Sequence, residues 1–237
     1  MKDVYLHGNN KTDKELNYAL ELGVAAIVVD SVSELEQLSS LLSKTGKQAH
    51  ILLRINPGID AHTHSYVQTA TVDSKFGLGV NNGQAMCAIE YIMKNPNIIL
   101  DGFHCHIGSQ IFESEPFMKA ADIVTDFIFE VKQSFSIEPR IINLGGGFGI
   151  KYTDEDDPLQ PGEYVRLTLS ALESACRKKG LKKPYVILEP GRSIIGEAGL
   201  TLYTVGVVKD IPGIRKYVDI DGGMTDNPRF ILYGSKY

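Results

Sequence analysis

Six short apolar runs recur along the first part of this chain, and most lead through a loop into a stretch with helical spacing. The runs are Val4–Leu6, Ala25–Val29, Ile51–Ile55, Ile98–His104, Ile141–Leu144 and Tyr185–Leu188. Continuous apolar runs, without polar alternation, are the mark of strands buried on both faces, as in parallel sheets. Parallel neighbours need a long crossover, usually a helix. The intervening segments supply it. Thr12-Asp-Lys-Glu15 reads as a capping box, followed by Leu16, Ala19 and Leu20 on one face and Gly23 as a stop. Ser31-Val-Ser-Glu34 reads as a second box, with Leu35, Leu38 and Leu42 at helical spacing. Further helices are expected over Gln84–Lys94, Pro116–Phe135 and Pro161–Lys179, with a long polar loop after Ile55. The order fits an α/β fold, either a barrel or a doubly wound sheet.

After Arg192 the pattern changes. Thr201–Val208, Tyr217–Ile220 and Phe230–Tyr233 read as strands joined by turns such as Ile211-Pro-Gly213. An antiparallel β domain is expected to begin there, with residues 1–195 as one unit and 196–237 as the start of the next.

The chain has 237 residues and a formal net charge of −5. That charge gives no electrostatic case for nucleic acid or an anionic membrane surface. No apolar stretch is long enough to span a bilayer, and the N-terminus lacks a signal-peptide h-region. Cys87, Cys105 and Cys176 are odd in number and lack metal spacing, which fits reduced thiols in a cytoplasm.

Chemistry-bearing motifs sit directly after the apolar runs. They are His7-Gly-Asn-Asn-Lys11, His104-Cys-His-Ile-Gly-Ser-Gln110, Gly145-Gly-Gly147 and Glu189-Pro-Gly-Arg192. Loops after parallel strands are where such folds place their sites. Successive glycine N–H groups can form an anion nest, or the glycines can simply make a tight turn. Glu189 can pair with a protonated ring nitrogen and Arg192 can grip a phosphate, or the two can pair with each other. His104 and His106 stand at i, i+2 with no third zinc ligand at suitable spacing. Arg54 lies within a buried run and needs a carboxylate partner, for which Glu189 is a candidate. His62 and His64 read as ordinary loop residues, and spacing leaves Lys75 open. Together the loops offer what a phosphorylated heteroaromatic cofactor requires.

The segments HGNNKT, ILLRINPGIDAHTH, SKFGLGV, GFHCHIGSQIF, NLGGGFGIKYT, EPGRSI, LYTVG and DGGMTDNPR occur in order over nearly the whole chain. By them the sequence closely resembles the diaminopimelate decarboxylases, fold type III enzymes dependent on pyridoxal 5′-phosphate. The resemblance implies a TIM-type barrel followed by a β domain. It implies that His106 stacks on the cofactor ring and that Glu189 pairs with the ring nitrogen. Ser109, Gly145, Gly146, Gly147 and Arg192 would surround the phosphate, and Gly191 and Arg54 would complete the cofactor set. Arg192, Arg229 and Tyr233 match positions that hold the far carboxylate of meso-diaminopimelate. A homodimer is implied for the full-length family.

The resemblance also implies what is missing. The lysine that carries the cofactor in the family lies on the first barrel strand, upstream of this sequence. The chain starts at the expected third strand, and the family's later Cys-Glu motif is absent. A barrel of about 250 residues is thus represented by about six of its eight strands, with two unpaired edges and uncovered apolar faces. Lys11 is the nearest substitute lysine but matches a non-catalytic position. The chain alone is therefore expected to be inactive and poorly stable. The alternatives are a non-catalytic cofactor- or partner-binding fragment, or a decarboxylase of another basic amino acid.

Overall fold

The computed structural model describes residues 1–59 and 74–234. The expected six strands form one parallel sheet: β1 (Tyr5–Leu6), β2 (Ala26–Val29), β3 (Ala49–Asn56), β5 (Ile98–His104), β6 (Ile141–Asn143) and β7 (Tyr185–Ile187). They lie side by side in chain order, so β1 and β7 are its two edges. The short strand β4 (Leu78–Gly79) pairs with β3, inside the segment expected to be only loop. This is a partial TIM-type barrel.

Helices α1 (Asp13–Leu22), α2 (Val32–Thr45), α3 (Gln84–Met93), α4 (Glu115–Phe135) and α5 (Pro161–Lys179) follow the predicted segments within a residue or two. The Thr12–Glu15 capping box forms in both directions. The Ser31 box forms only by half. Ser31 Oγ accepts from the Glu34 N–H at 3.2 Å, but the Glu34 carboxylate accepts from the Asp30 N–H at 2.9 Å. It does so because its other oxygen lies 2.6 Å from the buried Lys11 amine.

The core lies between sheet and helices. Leu16, Leu35, Leu38 and Leu42 pack with Ile27, Val29, Ile51 and Leu53 on one side of the sheet. Phe117 and Tyr164 join α4 and α5, their rings 5.5 Å apart, and Phe148 stacks on Tyr164 at 5.1 Å. Gly102 in β5 is needed for strand approach: a Cβ there would lie 1.9 Å from Ile141 O.

Beyond the sheet come α6 (Gly191–Ile195) and a 3-10 turn. The antiparallel pair β8 (Val205–Ile211) and β9 (Arg215–Ile220) follows, joined through Gly213 at φ +75°. Residues 201–204 are not strand, so the first expected strand begins later. The expected strand Phe230–Tyr233 is instead helix α7 (Arg229–Tyr233), with Pro228 at its N-cap and Gly234 closing it in the left-handed region. A four-residue apolar run has no readable period, and these flanks favour a helical turn. Nearly every residue of β8 and β9 is exposed. Among the described residues no helix is long and apolar enough to cross a membrane.

Candidate active site

All four chemistry-bearing loops lie at the C-terminal ends of the parallel strands. His7 follows β1, His104 ends β5 with His106 two residues on, Gly145–Gly147 follow β6, and Glu189 follows β7. The sequence motifs are thereby brought to one mouth.

At one end of that mouth Arg192 reaches across from α6. Its Nη2 donates to Ser109 Oγ at 3.0 Å and its Nη1 to Tyr152 Oη at 2.9 Å, with the guanidinium 5.8 Å from the Tyr152 ring centre. Arg192 therefore pairs with Ser109 and Tyr152, not with Glu189. Tyr152 carried no role in the sequence reading, although it lies within the glycine-loop motif NLGGGFGIKYT.

The glycine loop is tighter than an open nest. The Gly145 N–H donates to Asn143 Oδ1 at 2.9 Å and the Gly146 N–H to His106 Nδ1 at 3.4 Å. A Cβ on Gly146 would lie 2.1 Å from Glu189 O, and one on Gly147 2.2 Å from Gly108 O. Gly147 also sits at φ +109°, a conformation L side chains rarely adopt. These glycines let three strand-end loops touch. At Gly191 a Cβ would meet nothing within 4 Å, so room remains above α6.

At the other end stands Glu189. Its Oε1 accepts from Asn143 Nδ2 at 2.8 Å and lies 2.8 Å from His7 Nε2; its Oε2 lies 3.7 Å from His104 Nε2. Burial opposes its charge, but His104, His7 and Asn143 more than offset this and hold the carboxyl well below the usual range. Against the glycine loop is His106, whose burial, reinforced by His104 and Arg54, pulls its pKa down to about 4. It is a neutral imidazole at pH 7.

The expected Arg54–Glu189 pair does not form. Arg54 Nη1 donates to Asp30 Oδ2 at 2.9 Å, and its guanidinium sits 4.4 Å from the Phe76 ring centre. Val29 pairs with Leu53, so Asp30 and Arg54 are the next residues along neighbouring strands, whereas Glu189 is beyond β7. An aspartate ending the β2 run was the signal that reading missed.

Lys11 is no substitute for a cofactor lysine. Its amine donates to Gly8 O and to Val28 O at 2.8 Å and lies 2.6 Å from Glu34 Oε1, which occupies its three protons. Lys75 is exposed, its amine 5.1 Å from the Phe76 ring centre. Arg229 lines a cavity of about 350 Å³ with Tyr152, Glu155 and Asp156, next to the Arg192–Tyr152 pair. Tyr233 ends α7. His62 and His64 lie outside the described residues.

Residues 1–196 match the family model for the pyridoxal-dependent decarboxylase, pyridoxal binding domain. The chain belongs to this family. Among curated relatives of the pyridoxal-dependent decarboxylases, it is 47% identical over 234 residues to the diaminopimelate decarboxylase of Bacillus subtilis, covering 99% of this chain and 53% of that protein. It is 40% identical over 242 residues to that of Mycobacterium tuberculosis, covering 99% and 54%. The crystal structure of the M. jannaschii diaminopimelate decarboxylase with L-lysine superposes at a TM-score of 0.90 with 34% identity, over 100% of this chain and 54% of that one. The Vibrio vulnificus lysine/ornithine decarboxylase, at 21% identity and a TM-score of 0.77, shares the fold. The chain spans about half the length of the relatives it matches.

Proposed function

We propose that this chain is the cofactor-holding half of a decarboxylase that converts meso-2,6-diaminopimelate to L-lysine with pyridoxal 5′-phosphate. The observation that carries the reading is the mouth itself. An Arg192–Ser109 donor pair and an ionised Glu189 stand on loops of one mouth, with a neutral His106 against the glycine loop.

The residues fit the group. Ser109 and Arg192 would grip the phosphate dianion, and the glycine loop shapes the cradle beside them. Glu189, held ionised and oriented by His7 and Asn143, would keep the ring nitrogen protonated. His106, uncharged, would cover a ring face without repelling that cation. Gly191 leaves room for close approach, and Arg54, fixed by Asp30, would border the ring side. When bound, the protonated ring supplies an electron sink for the charge left when carbon dioxide departs. Arg229 and Tyr233, with Arg192, would hold the far carboxylate.

The reading divides the chain into residues 1–195, which hold the cofactor, and 196–237, which begin a β domain. It assigns the relative-length protein to a cytoplasmic homodimer. It also holds that the chain alone does not turn over, since Lys11 is committed to Glu34 and the two backbone carbonyls.

The test is fluorescence-monitored titration of the chain with pyridoxal phosphate, with borohydride trapping. Saturable binding weakened at least tenfold by Arg192→Ala, with no lysine trapped, is expected. Binding indifferent to Arg192→Ala sinks the site assignment; a trapped lysine sinks the inactivity. In the relative-length protein, Arg229→Ala should raise KM for meso-diaminopimelate, and an unchanged KM would favour another basic amino acid as substrate.

A further inference from the structure

The same mouth carries a donor set suited to a different ligand. His7, His104 and Glu189 come from the ends of β1, β5 and β7, and one donor atom from each lies within 4.8 Å of the others. The imidazoles meet edge to face with ring centres 4.9 Å apart. Two imidazoles and a carboxylate, with a further position open to solvent, are a donor set that zinc accepts. Bonds of about 2.0–2.1 Å in tetrahedral geometry place neighbouring ligand atoms about 3.3 Å apart. Glu189 presents Oε1 2.8 Å from His7 Nε2 and Oε2 3.7 Å from His104 Nε2, one oxygen to each imidazole.

His104 Nδ1 is buried with no hydrogen-bond partner among the described residues. Ligation through Nε2 leaves the ring proton on that buried nitrogen. Asn143 Nδ2, 2.8 Å from Glu189 Oε1, supplies the outer hydrogen bond that steadies a ligating carboxylate. Arg54, whose charge bears on His104, is paired with Asp30.

We propose that His7, His104 and Glu189 form a binding site for a zinc-class divalent cation. The ion takes the place of the direct His7–Glu189 contact. One consequence rests on the function proposed above. Glu189 cannot serve both an ion and a ring nitrogen, so the cation and pyridoxal phosphate exclude each other.

The test is titration of the cofactor-free chain with Co²⁺, read by visible absorption, because four-coordinate Co²⁺ absorbs far more strongly than six-coordinate Co²⁺. An intense four-coordinate spectrum, displaced by Zn²⁺ and weakened at least tenfold in affinity by both His7→Ala and Glu189→Gln, is expected. His7 is exposed, and far-UV circular dichroism checks that its variant is folded. A weak six-coordinate spectrum, or binding unchanged in both variants, overturns the site. Pyridoxal phosphate is titrated separately without metal, which tests the cofactor reading by itself. If it binds and leaves the Co²⁺ spectrum intact, mutual exclusion is overturned.

Discussion

Replacing Lys11 by methionine tests how the loop that carries His7 is held. The Lys11 and Glu34 side chains are only 3% and 6% exposed, and the amine also ties Gly8 O to Val28 O. Removing one partner of a buried ion pair typically costs about 3–5 kcal/mol, because the other charge is left uncompensated. Replacing both partners with apolar groups of similar volume is often close to neutral. Lys11→Met should therefore destabilise the chain by about 3–5 kcal/mol at pH 7, and Lys11→Met/Glu34→Leu should recover most of the loss. Burial already raises the Glu34 pKa, with Lys11 opposing it, so removing Lys11 raises it further. A carboxyl with a raised folded pKa favours the folded state at low pH and loses that contribution as pH rises through the folded pKa. The penalty of Lys11→Met should accordingly shrink between pH 7 and pH 5. Urea unfolding at both values measures it. A loss below about 1 kcal/mol, or a double variant no more stable than the single, would refute the reasoning.

Gly102→Ala drives a Cβ to 1.9 Å from Ile141 O and should cost more than about 2 kcal/mol by separating β5 from β6, read from the thermal midpoint. Gly147→Ala meets both Gly108 O and an unfavourable φ; it should weaken pyridoxal phosphate binding at least tenfold, measured by equilibrium dialysis. With its pKa near 4, His106 should show no imidazole proton shift between pH 8 and 5.5 by NMR. Its depressed folded pKa contributes stability that is present above about pH 6.5 and lost as pH falls toward 4. Exposed Cys87 should react rapidly with a thiol reagent in the native chain, whereas Cys105, buried and pushed up to about 12, should react only on denaturation.

Strand and helix order was legible in the sequence because burial on two faces and burial on one face leave different apolar periods. The Thr12 box, the Gly23 stop of α1 and the gathering of four loops at the strand ends follow from local rules and from parallel topology. Short segments were not legible. Arg229–Tyr233 carries too few apolar residues to show a period, and its flanks made it a helix. The partners of charged residues were decided only by the tertiary structure. Register sets Asp30 beside Arg54, Lys11 drew Glu34 out of the second capping box, and Tyr152 took the far side of Arg192. His7 gained its meaning only beside Glu189, which is far away along the chain. Sequence specifies which side chains exist and which local conformations they favour. Which charges meet depends on how strands align in space, because a buried charge takes whichever partner the packed backbone brings within reach.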